Sequence, residues 1–176
     1  MNVEIHFPNA TEVATHLDAL VELLKDSVDN GASVGFLPPL EDAEARAYWE
    51  GVVAALGSPS RGLALARVDG RVAGTAQLVE ADKANARHRA EVSKVLVHSA
   101  FRRRGIGAAL MRALEERAWE RGKRTLVLDT LEGAPSEQLY QSLGWIRAGV
   151  IPQYAQTADG ALHSTVIYYK LLRDSG

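Results

Sequence analysis

The chain has 176 residues, a formal net charge of −2 at pH 7, 47% hydrophobic residues and no cysteine. This length and composition fit one globular domain over residues 1–176, and they exclude disulfides, a thiolate metal site and a cysteine nucleophile. The near-neutral charge also argues against general nucleic-acid binding, which needs a strongly basic domain.

The chain also lacks the sequence signals of export and membrane insertion. Its start has no basic stretch followed by a long apolar run, and no apolar stretch reaches the length that spans a bilayer. We therefore expect a cytoplasmic enzyme without membrane association. The composition does not choose between a monomer and a homodimer.

The first third of the chain predicts a strand and two helices. Residues 3–7 alternate apolar and polar side chains, which is typical of a short strand. Thr11 can cap a helix that ends near residue 30, because apolar side chains recur every three or four positions in between. After a loop at residues 32–39, a second amphipathic helix is predicted over residues 41–56.

The middle of the chain switches to the period of strands. Residues 62–68 and 71–80 are apolar and are joined by an Asp-Gly pair, which is a strong hairpin signal. A polar loop at residues 82–87 separates this hairpin from a further strand at residues 90–97.

The last part of the chain combines helices and strands. An amphipathic helix begins at Ile106 and ends at Gly122, and residues 125–128 form a short buried strand. A short helix at residues 135–143 precedes two strand candidates within residues 145–172.

These elements together predict the fold class. The strand–helix–strand unit of residues 90–129 requires a parallel crossover if its strands share a sheet, whereas the earlier hairpin is antiparallel. We therefore predict an α/β (α+β) domain with a central mixed, mostly antiparallel twisted sheet and helices on both faces.

A run of arginines and glycines stands between the predicted strand at residues 90–97 and the next helix. It reads Arg102-Arg103-Arg104-Gly105-Ile106-Gly107-Ala108. Glycine lets a backbone approach a ligand closely, and the first amides of a helix lack internal partners and carry partial positive charge. A surface basic run that eases the turn into the helix is the plainer alternative. The strand before, the helix after and the arginines favour a diphosphate site.

Two other phosphate-binding loops fit less well. A P-loop would end in Gly-Lys-Ser or Gly-Lys-Thr, and residues 107–109 are Gly-Ala-Ala. A dinucleotide fingerprint would have a third glycine where Leu110 stands, although Asp129 occupies the place of a ribose-binding acid. The connection from Val97 to Gly105 is also too long for the tight turn of that fold.

Two motifs resemble those of the GNAT superfamily of N-acetyltransferases. They are Val95-Leu96-Val97 followed by Arg102-x-x-Gly105-x-Gly107-Ala108, and Leu139-Tyr140-Gln141-Ser142-Leu143-Gly144-Trp145. The resemblance implies that family's fold, an acetyl-CoA-dependent acetyl transfer to an amine, and direct attack within a ternary complex. Segments at residues 31–36, 88–92 and 159–168 also resemble a narrower group in that family, the tabtoxin-resistance acetyltransferases, which suggests a small, amino-acid-like acceptor.

The resemblance also implies which residues hold acetyl-CoA. These are the residues of the first motif together with Ser136: Val95, Leu96, Val97, Arg102, Arg103, Arg104, Gly105, Ile106, Gly107, Ala108 and Ser136. Two positions depart from the family pattern. Gly133 stands where many members have an asparagine that helps to hold the pantetheine, and Ser136 stands where an alanine is usual.

Three catalytic roles follow from the same resemblance. Tyr140 is the general acid toward the sulfur of coenzyme A, and Glu91 and Asp129 take the proton of the amine through water. A backbone amide near Val97, freed where its strand splays from the neighbour, faces the thioester oxygen. From the residues alone, plainer roles stay open: a core tyrosine, a solvent-facing glutamate, a turn-capping aspartate, or acids that only attract a cationic amine. Parallel neighbours would bring Glu91 and Asp129 together only if their register is offset.

The acceptor side has weaker signals. Residues 31–35, Gly-Ala-Ser-Val-Gly, match a nucleophile elbow but lack the strand before and the helix after that this motif needs. We expect a loop that lines the acceptor pocket, with Ser33, Phe36 and Tyr154 as candidates for its wall. His88 and His163 are single histidines without ligand-spaced partners, so no metal site is expected. A protein or peptide N-acetyltransferase and a non-catalytic acyl-CoA-binding module are the alternatives.

Overall fold

The computed structural model describes residues 2–173. Within that part of the chain, helices and strands follow one another in this order: β1 (Val3–His6), α1 (Ala10–Thr15), α2 (Leu17–Asp29), α3 (Asp42–Ala55), β2 (Arg61–Val68), β3 (Arg71–Glu80), β4 (Arg89–Val97), α4 (Ile106–Glu120), β5 (Thr125–Leu131), α5 (Ser136–Ser142), β6 (Ile146–Gln156) and β7 (Leu162–Leu171). Single turns of 3₁₀ helix at Ala84–Ala86 and Ser99–Phe101 lie in the loops on either side of β4.

The strands form one seven-stranded sheet in the order β1-β2-β3-β4-β5-β7-β6. The pairing of β4 with β5 is parallel, and every other pair of neighbours is antiparallel. The predicted mixed, mostly antiparallel sheet is therefore confirmed, and the parallel pair is the one that the α4 crossover connects.

Helices cover the sheet on both faces, as predicted. The alternation along β2 separates two cores, because Ala64 and Ala66 pack under α4 whereas Leu63 and Leu65 pack under α1, α2 and α3. Small alanines on the α4 side let that helix lie close to the strands. Leu110 of α4 is completely buried there, and burying such a side chain contributes about 1.5–3 kcal/mol.

The first predicted helix differs from the observed structure in two respects. The helix expected from Thr11 to residue 30 is two helices, α1 and α2, with His16 between them. Asn9 rather than Thr11 caps the first of these helices, because the Asn9 side chain accepts a hydrogen bond from the Glu12 amide at 2.9 Å.

The strand predicted at residues 125–128 is also longer than expected. β5 continues to Leu131, because its outer edge pairs with β7 as far as Leu131 opposite Thr165. Asp129 therefore lies inside β5 and not at its end.

A β-bulge interrupts β4 at its middle. Leu96 pairs with Thr75, and Ser93 pairs with Gln77. Lys94 and Val95 therefore both lie opposite the one β3 residue that separates Thr75 from Gln77. Lys94 has a left-handed backbone with φ 49°. Because of the extra residue, Val92 packs toward α4 while Leu96, four residues later, packs toward α2 and α3.

Candidate active site

A cleft of about 840 Å³ opens where β4 and β5 separate. The two strands pair over only three positions, of which the last is Glu91 opposite Val127. Beyond that pair the splay expected from the sequence is present. The cleft is lined by parts of the loop after α2, the second half of β4, the loop before α4, β5 and α5.

The residues predicted to bind acetyl-CoA converge on this cleft, with one exception. Those that line it are Val95, Leu96, Val97, Arg102, Arg103, Gly105, Ile106, Gly107, Ala108 and Ser136. Arg104 is not among the lining residues, and its guanidinium carbon lies 5.6 Å from the ring centroid of Phe101. The Ser136 hydroxyl lies 2.6 Å from the Thr130 hydroxyl, which links α5 to β5.

The start of α4 is built to accept an anion. Gly105 occupies the N-cap position with φ 78°, a left-handed conformation that glycine adopts without strain, and it offers no side chain to cap the helix. The first intrahelical bond runs from the Ala109 amide to the Gly105 carbonyl oxygen at 3.0 Å. The three preceding amides, of residues 106–108, are the ones that a helix leaves without internal partners.

The loop before α4 is itself ordered by an arginine. The Arg102 Nε donates a hydrogen bond to the Val97 carbonyl oxygen at 3.2 Å, and Arg103 has a left-handed backbone with φ 60°. Arg102 and Arg103 thus bring positive charge to the same end of the cleft as the open amides of α4.

The two predicted acids lie on the same face of the sheet. Ala90 and Val92 in β4 pack toward α4, as do Leu126 and Leu128 in β5, so the side chains of Glu91 and Asp129 point to the opposite face. Because Glu91 pairs with Val127, Asp129 is the diagonal neighbour of Glu91 across the split, which is the gap that opens where β4 and β5 stop pairing. No register offset is needed, because the strands start opposite each other at Arg89 and Thr125 and Asp129 lies inside β5, two residues beyond the partner of Glu91.

The two acids differ in their surroundings. Asp129 lines the cleft, and the Thr165 hydroxyl donates to its Oδ2 at 2.9 Å. Glu91, which is exposed as Asp129 is, lies at the closed end of the split and does not line the cleft. Asp129 is accordingly the better placed of the two to meet a substrate.

Tyr140 lines the cleft from α5 and is nearly buried, with 6% of its surface exposed. Its ring packs against Trp145 and Tyr168, with centroid distances of 6.2 and 6.0 Å. Burial, with a smaller contribution from the negative charge of Asp129, raises the pKa of Tyr140 to about 12. The phenol therefore keeps its proton at neutral pH, which is the state that a general acid needs.

The short helix that carries Tyr140 is fixed at its start by Glu137. The carboxylate of Glu137 accepts hydrogen bonds from the Tyr168 hydroxyl at 2.5 Å and from the Gly133 amide at 2.7 Å. These bonds, that of Tyr168 first, lower the pKa of Glu137. Glu137 thus joins α5 to β7 and to the turn that precedes the helix.

Replacing Glu137 with glutamine is expected to lower the free energy of unfolding by about 1 kcal/mol at pH 7. A carboxyl group whose pKa is lowered by folding stabilises the protein above its unfolded pKa, and this contribution is lost as the pH falls through the folded pKa. Urea denaturation should therefore show that the difference between Glu137→Gln and the unaltered protein shrinks below about pH 4. Exposed Glu116→Gln is the control. A difference that does not change with pH would contradict this role.

The three residues predicted for the acceptor wall are placed differently from one another. Ser33 lines the cleft. Phe36 packs edge-on against Tyr48 at 5.4 Å between centroids and is not among the lining residues. Tyr154 lies on the edge strand β6 with 55% of its surface exposed and does not line the cleft.

Sequence reasoning missed Lys94, which lines the cleft between the predicted cofactor residues and the acids. Its ammonium nitrogen lies 5.9 Å from the centroid of Tyr48. One signal was available, because a lysine inside the otherwise apolar second half of a central strand needs a special environment. The bulge that directs its side chain leaves no comparable mark in the sequence.

None of the helices within residues 2–173 combines the length and the apolar character needed to span a bilayer. In the same part of the chain, no group of three or more histidine, aspartate or glutamate side chains is placed to hold a metal ion.

Comparison with known proteins gives a consistent family. A model described as "Acetyltransferase (GNAT) family" matches residues 18–145. The chain is 34% identical over 118 residues to an uncharacterized N-acetyltransferase in the hisH-hisA intergenic region of Azospirillum brasilense, a match that covers 66% of this chain and 68% of that protein.

Solved structures of the same fold cover almost the whole chain. A ribosomal-protein-alanine N-acetyltransferase from Brucella melitensis is 27% identical with a TM-score of 0.78, over 96% of this chain and 99% of its own. The yncA protein from Salmonella typhimurium, solved with its cofactor acetyl-CoA, is 22% identical with a TM-score of 0.77, over 100% and 97% of the two chains.

Proposed function

Because the chain belongs to the acetyltransferase (GNAT) family and is thus an acetyl-CoA-dependent N-acetyltransferase, we propose that its acceptor is the amine of a small, amino-acid-like molecule. The amine attacks directly, in a ternary complex. One observation carries this proposal: Asp129, Tyr140 and the open amide end of α4 line a single cleft. The resemblance of residues 31–36, 88–92 and 159–168 to the tabtoxin-resistance acetyltransferases supports the choice of acceptor.

The residues of the cleft fit acetyl-CoA, which supplies the acetyl group as a thioester. The open amides of α4 and the guanidinium groups of Arg102 and Arg103 would hold its phosphates. Gly107 keeps this end of the cleft wide, since a Cβ there would lie 3.2 Å from the Leu139 Cδ2. β4 and α5 would flank the pantetheine arm.

Four groups of the chain then act on charges and protons. An alkylammonium with a pKa of about 10.4 has no lone pair, so a base must take its proton before attack. Asp129 is placed to do so, with Glu91 at the closed end of the split attracting the cation. A backbone amide near Val97 stabilises negative charge on the acyl oxygen, and Tyr140 donates its proton to the departing sulfur.

Asp129→Asn and Glu91→Gln are expected to reduce turnover more at pH 7 than at pH 10, because a free amine at high pH needs neither a base nor a negative charge that attracts a cation. For Asp129→Asn we expect a loss of about 100-fold at pH 7 and a smaller loss at pH 10. Initial rates across this range, expressed on total amine, provide the measurement. Equal losses at both pH values would contradict a base role for the substituted acid.

A peptide acceptor is the second candidate. The observation that favours it is the 27% identity to the Brucella melitensis protein named as a ribosomal-protein-alanine N-acetyltransferase. A non-catalytic acyl-CoA-binding module is disfavoured, because such a module needs neither Asp129 nor Tyr140 in the cleft.

A screen of amines with acetyl-CoA, read out by released thiol, tests the proposal. The chain has no cysteine, so the protein adds no thiol background. The panel holds free amino acids and peptides with N-terminal alanine. Thiol release with free amino acids supports the proposal, whereas release with the peptides alone replaces it with the second candidate. Coenzyme A binding without release for any amine would indicate a silent module.

A further inference from the structure

The bulge in β4 directs the Lys94 side chain to the opposite face of the sheet from the one that regular alternation predicts. In an unbroken strand Lys94 would point the same way as Val92, which is buried under α4. The extra residue turns it toward the face of α3 instead, where its ammonium nitrogen lies 5.9 Å from the Tyr48 ring centroid. The same nitrogen lies 3.5 Å from the position of a Cβ on Gly35, in the loop after α2.

The aromatic ring of Tyr48, close to Lys94, is held in place by a partly buried chain of hydrogen bonds. The Arg61 guanidinium donates to the Gln77 Oε1 at 2.7 Å, and the Gln77 amide donates to the Tyr48 hydroxyl at 2.8 Å. Gln77 itself is completely buried. Tyr48 is therefore a fixed support for the ammonium group and not a mobile surface ring.

The ammonium group of Lys94 is not in an ion pair with any carboxylate of the described residues. Among the described residues no carboxylate oxygen lies within 4.0 Å of its nitrogen. Burial lowers its pKa, and the negative charges of Asp129 and Glu91 only partly oppose this shift. An anion that approached the ammonium group would restore the interactions that burial removes.

Lys94 also stands at the acceptor end of the cleft. It is three residues before Val97, which corresponds to about 10 Å along the strand from the loop that faces the diphosphate. Ser33, in the loop after α2, and Asp129 line the same cleft as Lys94. A cation and a carboxylate on neighbouring splayed strands form a site with both signs of charge.

We propose that Lys94 binds the carboxylate of the acceptor, while Asp129 faces its amine. The substrate class is then a zwitterionic α-amino acid or a close analogue with an acidic group beside the amine. This inference rests on the proposed function and narrows it. It also gives a role to the half-buried Lys94, which lines the same cleft as Tyr140 and Asp129 but takes no part in the proposed proton transfers.

The test compares each L-amino acid in the panel with its own α-carboxamide. Values of kcat/KM are calculated on the concentration of free amine, because the amide and the acid differ in the pKa of their amines. The unaltered enzyme should prefer the acid at least about 10-fold, as expected for a hydrogen bond to a charged group. Lys94→Met should abolish this preference by raising KM for the acid more than KM for the amide.

Control variants separate binding from folding. Lys94→Arg keeps a cation and should keep most of the preference, and exposed Lys83→Met should leave the ratio unchanged. Equal use of acid and amide by the unaltered enzyme, or a preference that survives in Lys94→Met, would overturn the assignment while leaving the proposed function intact. A protein that releases no thiol with any probe would instead overturn the proposed function and this inference together.

Discussion

Gly107→Val is expected to weaken coenzyme A binding by about 100-fold, which corresponds to about 2.8 kcal/mol. Gly107 is the second residue of α4 and lines the cleft. Its Cβ alone would stand 3.2 Å from the Leu139 Cδ2 and 3.8 Å from the Val97 Cγ2. A branched side chain would therefore occupy space at the end of the cleft where the open amides lie.

Isothermal titration with coenzyme A measures this effect without turnover. Gly51→Val is the matched control, because Gly51 lies in the helix α3 and, apart from its chain neighbours and the helix's own backbone, no heavy atom lies within 4 Å of its Cβ position. Gly107→Ala should fall between the two. Melting temperatures establish that each variant is folded. Unchanged affinity in a folded Gly107→Val protein would mean that the start of α4 does not bind the coenzyme.

Tyr140→Phe is expected to lower kcat by about 100-fold or more while leaving coenzyme A affinity within about twofold. The substitution keeps the ring that packs against Trp145 and Tyr168 and removes only the hydroxyl. Tyr154→Phe, on the exposed edge strand, is the control and should have normal kcat. A full rate in Tyr140→Phe would leave Tyr140 with a packing role alone.

The pH profile gives an independent check on Tyr140. An ordinary tyrosine with a pKa of about 10 would be half-ionised at pH 10 and would lose half of its capacity as an acid. Burial, reinforced by Asp129, raises the pKa of Tyr140 to about 12, so its proton stays in place across that range. We therefore expect kcat to hold or rise from pH 7 to pH 10. A fall with a midpoint near pH 10 would contradict the buried phenol.

The sequence predicted the type and order of most helices and strands because the signals for them are local. The Asp-Gly hairpin, the glycine that follows α4 and the apolar period of α4 each depend on a few neighbouring residues, and the observed elements follow them. The phosphate loop is similar, since an uncapped helix start with flanking glycines is a local property.

The features that complete the site depend on partners far away in sequence. β5 extends past the predicted end because β7 pairs with it, and this pairing puts Asp129 inside the strand beside the split. Lys94 reaches the cleft only through a bulge whose register is set against β3. Phe36, predicted for the acceptor wall, packs instead on Tyr48 of α3, which no local pattern linked to it.

Binding of the coenzyme A diphosphate by the first amides of α4 can be observed in a crystal structure of the chain with coenzyme A. We expect the diphosphate in hydrogen-bond contact with the backbone amides of residues 106–108 and the pantetheine between β4 and α5. A coenzyme bound elsewhere, or no complex at millimolar concentration, would contradict diphosphate binding by the start of α4.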